Sequence, residues 1–167
     1  VVYKVQFSGF ADLEGNVLTS TEKSLLYFRP GIPKKKSVVV TEIFSDPSPQ
    51  RGLPAAEYIE LMNRSEDPFD LKDWKLSDEG STGTFPSAII LPGEYKVITS
   101  SSAASLFPAS VNIPIPNFPS LNNAGDVVVL RDAENTIIDS LRYALEWFKD
   151  EDKSQGGWSL ELIDPDN

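Results

Sequence analysis

Between Ala56 and Asp78 the chain reads AEYIELMNRSEDPFDLKDWKLSD and carries seven carboxylates: Glu57, Glu60, Glu66, Asp67, Asp70, Asp73 and Asp78. Two carboxylates facing each other across a cleft about 5–10 Å wide serve as acid and base in glycoside hydrolysis. Aspartates at strand ends can instead collect their oxygens around calcium, and Asp46, Asp78, Asp126 and Asp132 are the candidates for that role. A third role is to close turns and coat the wet face of a sheet. The spacing favours the third. Side chains alternate along a strand, so Glu57 and Glu60 of EYIELMN point to opposite faces. Glu66, Asp67 and Asp70 flank a turn at Pro68, and Asp78 opens the turn sequence EGSTG. No segment has the alternating acids and central glycine of an EF-hand loop. The sequence therefore assigns no catalytic residue, no metal ligand and no cofactor-binding residue.

Composition removes several other chemistries. The 167 residues include no histidine and no cysteine, so Ser-His-Asp and Cys-His nucleophilic systems and imidazole or thiolate zinc sites cannot be built from this chain. Lys and Arg number 15 against 25 Asp and Glu, a formal net charge of −10. Nucleic-acid binders present a basic footprint to phosphates, and the only basic run here is Lys34-Lys35-Lys36. No nucleic-acid partner is expected. No apolar run reaches the ~18 residues of a membrane span, so no membrane insertion is expected either. The sequence opens at Val1 without a charged-then-apolar leader, as expected for a mature or excised piece of a larger protein.

Three further features have two readings each. NNAGD (Asn122 to Asp126) could hold an anion in a backbone nest, but an Asn/Gly turn entering a strand is the simpler reading. Trp74, Trp147 and Trp158 could form a sugar-binding platform. Trp74 and Trp158 lie in strand patterns beside Leu76 and Leu160, which places them in the core. Trp147, in an acidic irregular stretch, is expected to be exposed. Asn63-Arg64-Ser65 fits the N-glycosylation sequon.

The elements that must position these residues are strands. Thirteen prolines and ten glycines punctuate the chain, and no stretch carries a sustained helical period; ALEWFKDEDK (Ala144 to Lys153) offers two turns at most. Val1 to Phe10 alternates, DLEGN (Asp12 to Asn16) is a turn, and SLLYF (Ser24 to Phe28) is a second strand. RPGIPKKKS (Arg29 to Ser37) reads as a linker. Strand patterns follow at VVVTEIF (Val38 to Phe44), EYIELMN (Glu57 to Asn63) and WKLSD (Trp74 to Asp78). IILPGEYKVITS (Ile89 to Ser100) gives two strands around Pro92-Gly93. FPASVNIPIPNFP is too rich in proline for a central strand. DVVVLRDAENTIIDSLRY (Asp126 to Tyr143) is a hairpin turning at Asp132 to Asn135, and WSLELI (Trp158 to Ile163) closes the series. Short strands at this spacing predict an all-β sandwich or small barrel. Alternation places Ile59, Leu61, Trp74, Leu76, Val128, Leu130, Leu141 and Leu160 in its core.

From Val38 onward the order VVVTEIFSDP, EYIELMNRS, DLKDWKLSD, LPGEYKVITS, FPSLNNAGDVVVLRDAENTIIDSLRY and GGWSLELIDP resembles the lamin tail domain in its bacterial form, across Val38 to Pro165. That resemblance implies an immunoglobulin-like β-sandwich with no catalytic residues to carry over. It also implies a non-catalytic scaffold or docking module of a larger exported bacterial protein, extracellular or at the cell surface, with a protein or cell-surface partner. The domain scheme it implies is a hairpin over 1–29, similar to the end of a preceding immunoglobulin-like repeat, a linker over 30–37 and the sandwich over 38–167. The hairpin's apolar face (Val1, Tyr3, Val5, Phe7) would then need a partner, and self-association through it is expected. The alternative is a carbohydrate- or calcium-binding module serving a neighbouring enzyme.

Overall fold

A computed structural model describes residues 2–17 and 19–164. The chain divides into two compact units, Val1–Pro30 and Gly31–Asn167. The first is a hairpin of β1 (Val2–Phe7) and β2 (Thr21–Leu26), paired antiparallel from Val2↔Leu26 to Phe7↔Thr21. DLEGN turns as its residues dictate: Asp12 Oδ1 accepts the Glu14 and Asn16 amides at 3.0 and 2.9 Å. The second strand begins three residues before the predicted Ser24, because the ladder with β1 extends back to Thr21.

The second unit contains β3 (Val38–Phe44), β4 (Tyr58–Asn63), β5 (Phe69–Asp70), β6 (Lys75–Ser77), β7 (Thr82–Thr84), β8 (Ile89–Ile90) and β9 (Tyr95–Ser100). After a 3-10 turn at Ser101–Leu106 come β10 (Asn112–Ile115), β11 (Gly125–Arg131) and β12 (Ile137–Ala144); β13 (Leu160–Glu161) is last. One sheet runs β10-β9-β4-β3-β13 and the other β12-β11-β6-β7, with β5-β8 as a small third pair. The proline-bearing β10 is an edge strand, parallel to β9 alone. ALEWFKDEDK forms only short 3-10 turns at Leu145–Phe148 and Lys153–Gln155. The stretch read as a linker is bonded into this unit. Gly31 N–H donates to the Pro68 carbonyl at 2.9 Å, and Lys36 N–H donates to the Ile138 carbonyl at 2.6 Å.

The two large sheets share one core. Val38, Val40, Ile59, Leu61 and Ile98 from the first meet Leu76, Val128, Leu130, Ile138 and Tyr143 from the second. Trp74 packs on Phe69 with ring centroids 6.0 Å apart and closes one end. Of the predicted core, Leu141 and Leu160 are only partly buried, because they line the open space between the edge strands β12 and β13. Burial on β3 and β4 is wider than simple alternation allows. Phe44 and Tyr58 are also buried, their rings 5.2 Å apart, with Phe107 set edge-on to Tyr58 at 5.6 Å.

Candidate functional site

The seven carboxylates do not converge. Glu57 Oε2 accepts the Leu121 amide at 3.0 Å, while Glu60 Oε1 accepts the Thr41 hydroxyl at 2.8 Å. Asp70 Oδ1 accepts the amides of Lys72 and Ala88 at 3.0 and 3.2 Å. Asp73 sits in the left-handed region at φ 64°, and Asp78 Oδ1 accepts the Gly80 amide at 2.7 Å and the Ser81 amide. The strand-end aspartates are likewise used locally. Asp46 Oδ1 binds the Ser48 amide, Asp126 Oδ1 the Val127 amide and Asp132 Oδ1 the Thr136 amide, at 3.1, 2.7 and 2.7 Å. Among the described residues no three acidic side chains are placed to hold a metal ion.

Two of the carboxyls are tuned by their surroundings. Burial pushes Glu57 above the ordinary carboxylate value, its bond to Leu121 N–H opposes this, and the Asp46 charge adds to it. Burial also raises Glu60; the Thr41 hydroxyl opposes, and the Glu42 and Glu161 charges add to the rise. The register explains those charges: Glu161 stands opposite Glu42 across β13 and β3, and Glu42 stands opposite Glu60 across β3 and β4. Three like charges in a row across a sheet repel. Tyr58 donates to Glu42 at 2.6 Å, and burial together with this bond pushes its phenol well above the ordinary value.

The remaining candidates resolve as follows. Asn63 of the sequon is fully buried. Its Nδ2 donates to the carbonyls of Asp67 and Ile90 at 2.7 and 3.2 Å, and its Oδ1 accepts the Ser65 amide and hydroxyl at 3.0 and 2.8 Å. It is a structural plug, closed to a glycosyltransferase. NNAGD is a turn, with Asn122 Oδ1 accepting the Ala124 amide at 3.0 Å. Gly125 there has φ 132°, and a Cβ on it would meet the Tyr143 carbonyl at 2.6 Å. Trp74 is buried and Trp147 exposed, as expected, but Trp158 is 40% exposed. Only Leu160 and Glu161 of WSLELI pair as a strand, and the Lys153 ammonium lies 5.3 Å from the Trp158 ring centroid. The basic run is partly spent, since Lys36 Nζ pairs with buried Asp139 at 2.5 Å. Asp139 also accepts the Val40 amide at 2.9 Å and so ties β12 to β3.

What the chemistry-bearing residues did not announce is a groove of about 430 Å³ where β12 and β13 face each other along the open edge of the sandwich. Leu141 and Tyr143 line it from β12, Leu160 and Leu162 from the end of the chain, and Trp147 stands among them. Gly156 and Gly157 set the position of β13. Both have positive φ, 92° and 79°, and a Cβ on either would meet a carbonyl of Ser48 or Pro49 at 2.1 or 2.2 Å. The Gly157 amide donates to the Asp46 carbonyl at 2.8 Å. The sequence signal for the groove was the run Leu160, Leu162, Ile163 near the end of the chain.

The sequence model of the lamin tail domain matches residues 32–144, more than half of the chain. The chain belongs to the lamin tail domain family. The immunoglobulin-like sandwich expected from the motif series is thereby the family's fold, and that fold is compatible with a non-catalytic docking role. The match ends where β12 ends, so Trp147, β13 and Leu162 lie beyond the matched residues of this lamin tail domain. No curated protein matches the chain.

Proposed function

We propose that this lamin tail domain is a non-catalytic docking module of a larger exported bacterial protein, extracellular or at the cell surface. The observation that carries the reading is the apolar groove between β12 and β13. It gathers half-exposed Trp147 and Leu162 around partly buried Leu141 and Leu160. Exposed apolar surface of this kind, with an aromatic anchor, is what protein interfaces use. Glu57, Glu60, Asp70 and Asp78, by contrast, accept hydrogen bonds in turns and sheet contacts. The exported bacterial setting rests on the resemblance of the motif series to the bacterial form of the family.

The test is a photoreactive amino acid placed at position 147 of the parent polypeptide in its native cells, with position 134 in the β11–β12 turn as control. Docking through the groove gives a discrete protein adduct from 147 and none from 134. Adducts from neither position, or from both alike, contradict it.

A further inference from the structure

The groove has a backbone edge as well as an apolar floor. The Leu162 amide donates to the Thr41 carbonyl at 2.7 Å. Hydrogen-bonding direction alternates along an antiparallel strand, so the N–H and C=O of Glu161 point away from β3, toward the open side. β13 is the last strand of its sheet and β12 the last of the other. Two edges with apolar side chains between them are the setting in which an extended peptide adds as a further strand.

Charge selects the peptide. Glu161 and Glu42 lie side by side in the cross-strand row, and both line the groove. Among the described residues neither Glu42 nor Glu161 has a cationic partner at ion-pair distance; Lys36 and Lys96 pair with Asp139 and Glu94 instead. Lys149 lines the groove from the segment after β12 and does not neutralise them at that distance. A residue added opposite Glu161 falls on the same sheet face as the carboxylates, and its two neighbours fall on the face of Leu160 and Leu162.

We propose that the free edge of β13 accepts an extended peptide of alternating apolar and basic residues. Its apolar side chains enter the groove against Leu160, Leu162 and Trp147, and a lysine or arginine lies beside Glu161 and Glu42. This rests on the docking reading and names the partner segment.

The experiment is fluorescence anisotropy of the whole chain with two labelled, capped peptides, one alternating valine with lysine and one alternating valine with glutamate. A short added strand buries less than about 1,200 Å², so a dissociation constant on the order of 10–100 μM is expected for the lysine peptide. The glutamate peptide is expected to bind at least ~10-fold more weakly. Glu161→Lys should reverse that preference. Glu161→Pro removes only an outward-facing N–H on an edge strand and should weaken both peptides at least ~10-fold while the thermal melt stays cooperative. No binding of the lysine peptide up to ~1 mM, equal affinity for the two peptides, or a preference unchanged in Glu161→Lys overturns strand addition. If position 147 still cross-links to a partner in that case, the docking reading stands and only the strand mode fails. Loss of both removes the groove altogether.

Discussion

Asn63 shows how a residue type misleads when its partners are distant in sequence. In isolation it is the acceptor of a sequon; folded, it satisfies the Asp67 and Ile90 carbonyls and receives Ser65. Removing its amide leaves buried carbonyls unpaired, which costs about 1–3 kcal/mol. Asn63→Ala is therefore expected to lower the unfolding free energy by at least that amount in a denaturant titration; an unchanged midpoint would remove it from this role. Expressed in a host that modifies sequons, the folded chain should show no glycan at Asn63 by mass spectrometry. The turn aspartates were legible because each acts within a few residues of itself, as Asp12 and Asp132 do. Asp139 was not legible, because its partners Lys36 and Val40 lie about a hundred residues upstream.

Among the elements, β3 and β12 emerged from the sequence close to their true limits, β3 because a long β-branched run leaves little choice and β12 because the turn at Asp132 to Asn135 fixes where it starts. β6 and β8 were legible in WKLSD and in IIL before Pro92-Gly93, but their partners β7 and β5 are too short to carry a period, and the ladder register alone defines them. Trp158 was misplaced for a similar reason: alternation was extended past the two residues that pair. The burial of Glu60, with the row of glutamates across β13, β3 and β4 adding to it, has a consequence for stability. The Glu60 carboxyl is raised above its ordinary value of 4.5 when folded. Its favourable contribution is complete below that value and is lost as pH rises through the folded pKa. The chain should accordingly gain stability on mild acidification from neutral pH toward that value, up to the point where other acids protonate. Glu60→Gln keeps an acceptor for Thr41 and removes the charge. It should raise the neutral-pH stability by a few tenths of a kcal/mol, given its partial exposure, and flatten the melting temperature between pH 7 and 5. A Tm that falls in Glu60→Gln would show that the row is not repulsive.

At the scale of the whole molecule, an all-β sandwich followed from strand spacing, and its immunoglobulin-like type from the motif series that the family match supports. Only one wall of the groove had a signal in the sequence, the run Leu160, Leu162 and Ile163; the groove itself was not legible, because it forms between edges brought together from residues 141 and 160. We propose that the first thirty residues are a separate unit, following the division of the chain at Pro30. Deleting residues 1–30 should leave a cooperative melt and a β-type circular dichroism spectrum, whereas collapse of the remainder would make the hairpin integral. The central claim is that this domain works by docking through the groove between β12 and β13. Hydrogen exchange of the parent protein, compared between its purified form and its assembled form on the native cells, reads that directly. The account predicts added protection confined to residues 141–149 and 158–163. Protection unchanged in those segments and increased elsewhere in the sandwich would contradict it.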